Sequence, residues 1–460
     1  MRLTTTGKLF NWDSLDDSPD LTALKLLLEL LPDERLLAAL RLRRFRGRND
    51  YGIATLWRVH MLRYFLRHPT MESCLADLRR NAALRELAMI ADVEKVPKAW
   101  NMSRLEEVLG APEHQKLLRD MFELLTRKLA FMVPEMGRHV AGDSSCLSAR
   151  ADSKEACLKD KRLPQPAGGR KEYLDDEDKV SKVYEWFGYK FHLLVDVRYE
   201  VILAWQITSA TASDIGPIPE LVRQAQGHLP AGRMETLAYD KAADDVGTHQ
   251  LLHQQRIKPV VENRWMWWEE SERMLPGHDG TSNIVYDEAG SVFCYDKVSD
   301  PPVKRKMAYT GYEPSRGTLK YRCPAMHEGF QCPMTHICNQ NKSYGKTVRV
   351  KQAIDLRRFP PIPRGTQEFE RRYKGRSAVE RVNARCKLFW GADDGNVTGA
   401  KRFHAHVATM MVVHAMMATA LASAPRHSGK SLSPVRLSRM ALALRDHNGS
   451  PPKPTSRSAA

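Results

Sequence analysis

A chain of 460 residues is longer than one ordinary core accommodates and provides for two or three domains. Its 42% hydrophobic and 27% charged residues are those of a globular protein and exclude a largely disordered one. Lys and Arg total 71 against 55 Asp and Glu, and the resulting formal charge of +16 favours a polyanionic partner, nucleic acid before an anionic membrane.

The opening MRLTTTGKLFNWD has no apolar core of the kind a signal peptide carries. Eight cysteines without a dense framework suit a reducing compartment, so the expected location is the cytoplasm. From Leu21 to about Phe131 apolar residues recur at helical spacing, as in LTALKLLLELL, TLWRVHMLRYFL and HQKLLRDMFELLTRKLAFM. The first long helix is expected to run into Arg41, Arg43, Arg44, Arg46 and Arg48, cations suited to a helix C-terminus or to phosphate. Arg58, Arg63, Arg67, Arg79, Arg80 and Arg85 extend the basic character. Residues 1–133 are therefore expected to form a helical DNA-binding domain, although no helix-turn-helix spacing names a recognition helix.

After Pro134 the period becomes extended. His139-Val140-Ala141-Gly142-Asp143 reads as a strand ending in a carboxylate, and FGYKFHLLVDV and EVILAWQIT as two more. A helix over about 214–228, a strand METLAYD ending at Asp240, a helix over 244–255 and a strand KPVVEN complete the order β-β-β-α-β-α-β. Such alternation predicts an α/β fold with a mixed sheet flanked by helices, and polar residues at strand C-termini are where such sheets place their sites. The polar stretch 147–182, with PQPAGG and LDDEDK, reads as an exposed loop or lid. Residues 263–367 lack sustained periodicity and are too many for a loop, so they are expected to be an inserted subdomain. Phe369 to Phe389 is again helical. Val407–Ser423 is apolar but 17 residues long and contains His414, which reads as a buried helix and not a membrane span. The tail 426–460 carries seven Lys and Arg against the single Asp446 and is expected to be largely disordered.

The strongest local pattern is YKGRSAVERVNARCK, with Tyr373, Arg376, Glu380 and Lys387 at offsets of 0, 3, 7 and 14. At about 100° per residue these four fall within an arc of roughly 60°, so a phenol, two cations and a carboxylate would line one helical stripe. Such a stripe suits a metal-bound phosphate, and equally a solvated helix braced by ion pairs.

This segment matches at all four positions the Y-(2)-R-(3)-E-(6)-K signature of bacterial insertion-sequence transposases with a DDE, RNase H-like catalytic domain. The resemblance extends to Gly142-Asp143-Ser144-Ser145, to Ala238-Tyr239-Asp240-Lys241, and to GYKFHLLVDV and ITSATASD between them, and spans roughly residues 50–425. Lys241-Ala242-Ala243 stands where that family often has a glycine and an aromatic. The resemblance implies an RNase H-like core in two parts, 134–262 and 368–425, interrupted by the insertion. It implies a DNA transposase that binds inverted-repeat ends, hydrolyses phosphodiesters and transfers strands into double-stranded target DNA, acting as a synaptic homodimer without any membrane. Asp143, Asp240 and Glu380 would be the catalytic acids and metal ligands, with Tyr373, Arg376 and Lys387 on the DNA. The chemistry calls for such acids: two divalent ions about 4 Å apart activate water and stabilise the leaving oxygen, and Mg²⁺, or Mn²⁺, takes carboxylate oxygens. Two other readings remain: a catalytically silent domesticated DNA-binding protein, and a structure-specific nuclease of the same fold.

The rival acids have structural roles available. Asp196 precedes a hairpin, Asp214 stands at a helix start, and Asp244 and Asp245 resemble N-caps. Cys323, Cys332 and Cys338, with His327, His336 or the more distant Cys294 as a fourth ligand, could hold a structural Zn²⁺. No C-x₂-C pair is present, and reduced cysteines in a small insertion are the favoured reading. Trp265, Trp267 and Trp268 are expected to pack the insertion, and His404, His406 and His414 to belong to the C-terminal helix.

Overall fold

The computed structural model describes residues 19–44, 50–150, 163–175, 179–276, 283–339, 343–394 and 396–423. Arg46, Arg48 and the basic tail lie outside these residues.

Seven helices open the chain: α1 (Pro19–Glu29), α2 (Glu34–Arg43), α3 (Ile53–Phe65), α4 (Met71–Arg80), α5 (Ala82–Leu87), α6 (Ala99–Leu109) and α7 (Pro112–Met132). The single helix expected to lead into the arginine run is two. Pro32 cannot donate within a helix, and Asp33 turns away to accept the Trp57 indole at 2.7 Å. Thr70 and Asn81 accept backbone N–H groups and so start α4 and α5. Part of the expected basic surface is internal. Arg63 is buried on Glu106 at 3.2 Å, and Arg85 closes the carbonyls of Leu78 and Arg79, leaving Arg79 and Arg80 exposed.

The six-stranded sheet contains β1 (His139–Ser148), β2 (Ala167–Leu174), β3 (Val180–Asp196), β4 (Ile202–Ser209), β5 (Thr236–Tyr239) and β6 (Lys258–Val261). Its order is β2-β3-β1-β5-β6, with β4 also paired to β3. β1, β5 and β6 are parallel to one another, whereas β3 runs antiparallel to β1, β2 and β4. The fold is thus mixed α/β. Two expectations change here. β1 does not stop at Asp143, because its antiparallel pairing with β3 continues from Val140↔Asp196 to Ser148↔Gly188. The polar stretch expected to be a loop contributes β2, a hairpin partner for the first half of β3.

Helices α8 (Ile218–His228) and α9 (Val246–Gln254) connect β4 to β5 and β5 to β6. After the insertion come α12 (Gln367–Tyr373), α13 (Ser377–Trp390) and α14 (Ala400–Ser423). α14 is apolar on all sides and is the one helix among the described residues long and apolar enough to cross a membrane. Its apolar window is 94% buried within the protein, against α6, α7 and β4. One continuous apolar core runs from Leu24 in α1 through the sheet to Leu421 in α14. His404, His406 and His414 are buried in it.

The insertion is not irregular. It holds a four-stranded sheet, β7 (Glu272–Met274), β8 (Ile284–Asp287), β9 (Val292–Asp296) and β10 (Val303–Lys306), and a three-stranded one, β11 (Ala308–Glu313), β12 (Thr318–Arg322) and β13 (Thr347–Lys351). Two one-turn helices, α10 (Pro324–Glu328) and α11 (Thr335–Asn339), lie between β12 and β13. A second, smaller apolar cluster centred on Tyr286, Leu319, Val350 and Phe359 holds the two sheets. Of the three tryptophans only Trp267 packs there, with Arg273 and Arg358 against its ring; Trp265 and Trp268 are 71% and 95% exposed.

A buried ionic clamp fastens the insertion to the sheet. Asp245 caps α9 as expected, but Asp244 is no cap. It accepts from Arg357 Nε at 2.8 Å, Arg364 Nη2 at 2.7 Å and the Arg264 backbone N–H at 2.8 Å, with the His249 ring at 3.0 Å. Burial alone would raise the Asp244 pKa, and these partners outweigh it, holding the carboxyl below its usual range.

Candidate active site

The parallel register sets the site. His139↔Thr236, Val140↔Leu237 and Ala141↔Ala238 pair β1 with β5. Two residues on from Ala141 and Ala238 stand Asp143 and Asp240, on the same face by the two-residue period of a strand. β6 repeats the pattern. Tyr239 pairs with Val261, so Asp240 and Glu262 follow side by side at the carboxyl edge. β5 ends at Tyr239 while β1 runs on, and Asp240 turns its carboxylate to accept the Ala242 N–H at 3.1 Å, starting a 3₁₀ turn over Lys241–Ala243.

Gly142 has a steric reason. A Cβ there would meet the Tyr239 ring at 2.1 Å and Leu194 at 2.7 Å, so only glycine leaves room for the ring of the residue preceding Asp240. Next to the acids, Ser144 donates to Asp214 at 2.9 Å and Lys190 pairs with the same carboxylate at 3.0 Å. Asp214 precedes α8 by four residues and does not start it.

The signature residues are divided between two helices. Tyr373 ends α12, a 3₁₀ turn occupies Lys374–Arg376, and α13 begins at Ser377. A Cβ on Gly375 would lie 2.7 Å from Val197, so glycine allows this turn to settle on the β3–β4 connection. The helical run expected over 369–389 is present, tightened to one 3₁₀ turn where it meets β1 and β5. The turn delivers Arg376 between two acids: its guanidinium is 2.6 Å from Glu380 Oε1 and 3.8 Å from Asp143 Oδ2.

Asp143, Asp240, Arg376 and Glu380 are thus brought together. Burial pushes the Asp143 carboxyl up to about 6, the Arg376 guanidinium opposes this, and the Asp240 carboxylate adds to it. Glu380 is half exposed. Tyr373 and Lys387 have protein partners. The Tyr373 hydroxyl donates to Glu262 at 2.9 Å, and Lys387 donates to the Cys146 carbonyl at 2.8 Å and pairs with Asp393 at 3.1 Å. Lys387 therefore sits farther along β1 than Asp143.

Glu262 is the residue sequence reasoning passed over, although KPVVE ends in an acid just as the strands before Asp143 and Asp240 were read to do. Among the described residues no set of three His, Cys, Asp or Glu side chains stands closed around a common point. Glu380 is drawn instead onto Arg376. As for the cysteines, Cys323, Cys332 and Cys338 line one cavity together with Cys294, while His327 and His336 are exposed outside it.

No family model matches the chain, and no curated protein is a match for it. Among solved structures it is similar to the cryo-EM structure of a piggyBac transposase synaptic complex with hairpin DNA. The identity is 13%, the TM-score 0.38, and the match covers 93% of this chain and 79% of that one. A likeness at that level carries no argument about mechanism.

Proposed function

We propose that the chain is a metal-dependent DNA transposase of the bacterial insertion-sequence kind, acting in the cytoplasm on double-stranded DNA as a homodimer. The observation that carries this reading is the row of acids where the parallel pairing of β1, β5 and β6 ends, faced by the Arg376–Glu380 pair. The sheet order, with three parallel strands beside an antiparallel meander, agrees with an RNase H-like core for residues 134–262 and 368–425. Residues 1–133 would then bind DNA, and 263–367 would form the inserted subdomain.

Asp143, Asp240 and Glu380 present hard carboxylate oxygens, the donor class Mg²⁺ or Mn²⁺ selects. The nearby Asp240 carboxylate adds to the raised pKa of Asp143, so a cation beside the pair is favoured. Glu380 shares one guanidinium with Asp143, and rotation of Arg376 away from it frees both carboxylates for the same cation. A pair of divalent ions bound there would supply the activated water and the stabilised leaving oxygen of an in-line displacement. Arg376, once displaced, would take a phosphate oxygen, with Tyr373 donating to a neighbouring one. Lys387 would hold the strand farther along β1.

The test uses the full chain, Mg²⁺ and duplexes carrying the DNA that flanks this reading frame. Nicking and joining are expected, and Asp143→Ala, Asp240→Ala and Glu380→Ala should each abolish both while leaving DNA binding intact. Binding without any cleavage by the unaltered protein overturns the reading in favour of a silent DNA-binding protein. Cleavage without joining replaces transposition with a structure-specific nuclease activity.

A further inference from the structure

The described part of the segment between β12 and β13 buries few apolar side chains, Pro324 and Ala325 among them. It holds two five-residue helices and their links, and none of its described side chains belongs to the apolar cluster that unites the insertion, which takes Leu319 and Tyr321 before it and Val348 and Val350 after it. Ile337, on α11, is 56% exposed. A unit of this size without a core needs another fastening.

What the segment does present inward is sulfur. Cys323 at the start of α10, Cys332 in the link and Cys338 on α11 line one cavity of about 30 Å³, and Cys294, from the middle of β9, lines it with them. That is room for one water-sized body. All four are free thiols, with Cys323 buried and the other three partly so. Two buried or half-buried amides point at them: Asn339 Nδ2 lies 3.9 Å from Cys323 Sγ and Asn283 Nδ2 4.0 Å from Cys338 Sγ. N–H donors aimed at sulfur are the outer partners that thiolate ligands of a metal receive.

We propose that Cys294, Cys323, Cys332 and Cys338 are the four ligands of a structural zinc ion that fastens the α10–α11 segment to β9. Four sulfurs select a soft, tetrahedral ion over magnesium or calcium. The choice of fourth ligand follows from position: Cys294 shares the cavity, whereas His327 and His336 face solvent. The thiols as placed surround the cavity without closing on one point. Cys332 and Cys338, partly exposed on the two-helix segment, complete the tetrahedron by side-chain rotation, each of the four thiols releasing its proton to solvent as its sulfur binds. This inference concerns the insertion alone and does not depend on the transposase reading.

The experiment is metal analysis of the full chain purified without a metal-affinity tag or chelator. About one zinc per chain is expected, falling to background in Cys332→Ser/Cys338→Ser and in Cys294→Ser, and unchanged in Cys146→Ser, a thiol outside the cavity. Cobalt replacing zinc should add the intense near-ultraviolet sulfur-to-metal absorption of a thiolate site. Folded, unaltered protein that holds no zinc and takes up neither zinc nor cobalt overturns the proposal, as does undiminished zinc in the cysteine variants. Should the variants fail to fold, the cobalt spectrum of the unaltered protein decides alone.

Discussion

The main core packs its sheet beneath long helices, with α14 buried along its length, whereas the insertion hangs two sheets of three- to six-residue strands on a cluster of ten buried apolar side chains among the described residues. The first region can be specified by apolar burial. The second depends on polar fastenings: the Asp244 clamp, and Glu288 accepting the Met266 and Trp267 N–H groups at 2.6 and 2.9 Å. The contrast teaches where damage should be local. Cuts in the clamp should release the insertion, and stress on buried ionisable groups should fall on the main core.

The largest effect should come from Asp244→Ala, which leaves Arg357 and Arg364 buried without their carboxylate. Breaking a buried pair from one side costs about 3–5 kcal/mol. Urea denaturation should show a loss in that range, and limited proteolysis should cut first within 262–266 or 357–366. A loss below about 1 kcal/mol, the value of an exposed ion pair, would remove the clamp from the comparison.

Acid should act on the other region. Burial, aided by Arg63, lowers His60 to about 3, and burial, aided by Arg385, lowers His414 to about 3. Both pKa values are depressed on folding, so the stability these neutral rings permit is complete above the unfolded value near 6.5 and is lost as pH falls toward 3. At pH 5 each should cost about 2 kcal/mol relative to pH 7. Thermal melting at the two pH values measures the sum, and His414→Gln should flatten the slope. A melting temperature independent of pH over this window would show that these rings are not held neutral.

Legibility followed the same division. Where burial is periodic, the sequence is readable: β3 and β4 announce themselves by apolar runs, Asp143 follows the buried Val140–Gly142 run within β1, and Asp240 follows the buried β5. The end of β1 was not readable, since Ser144, Ser145, Cys146 and Ser148 leave Leu147 as its single large apolar residue there and the strand is held by pairing to β3. Strands of three to six residues in the insertion are too short to express a period. The role of Asp244 was hidden because its partners lie 113 and 120 residues away. The turn at Lys374–Arg376 was equally hidden, because Val197 beside Gly375 is a tertiary neighbour.

The smallest effect bears on how the two regions communicate. Thr366 caps α12, its hydroxyl accepting the Phe369 N–H at 3.2 Å, at the point where the chain returns from the insertion to the acids. Thr70 does the same for α4 within the main core, also at 3.2 Å. Loss of either cap costs about 1 kcal/mol, so Thr366→Ala and Thr70→Ala should be matched in denaturation. They should differ in strand cleavage. α12 ends at Tyr373 and leads directly into the turn that carries Arg376, so fraying at its start reaches the Glu380 and Asp143 contacts, whereas α4 touches none of these groups. Thr366→Ala should therefore lower cleavage by more than its stability loss accounts for, and Thr70→Ala should leave it unchanged. Equal activity in the two variants would mean that the return from the insertion carries stability alone, and that the Arg376 turn is set from the sheet side by Val197 against Gly375.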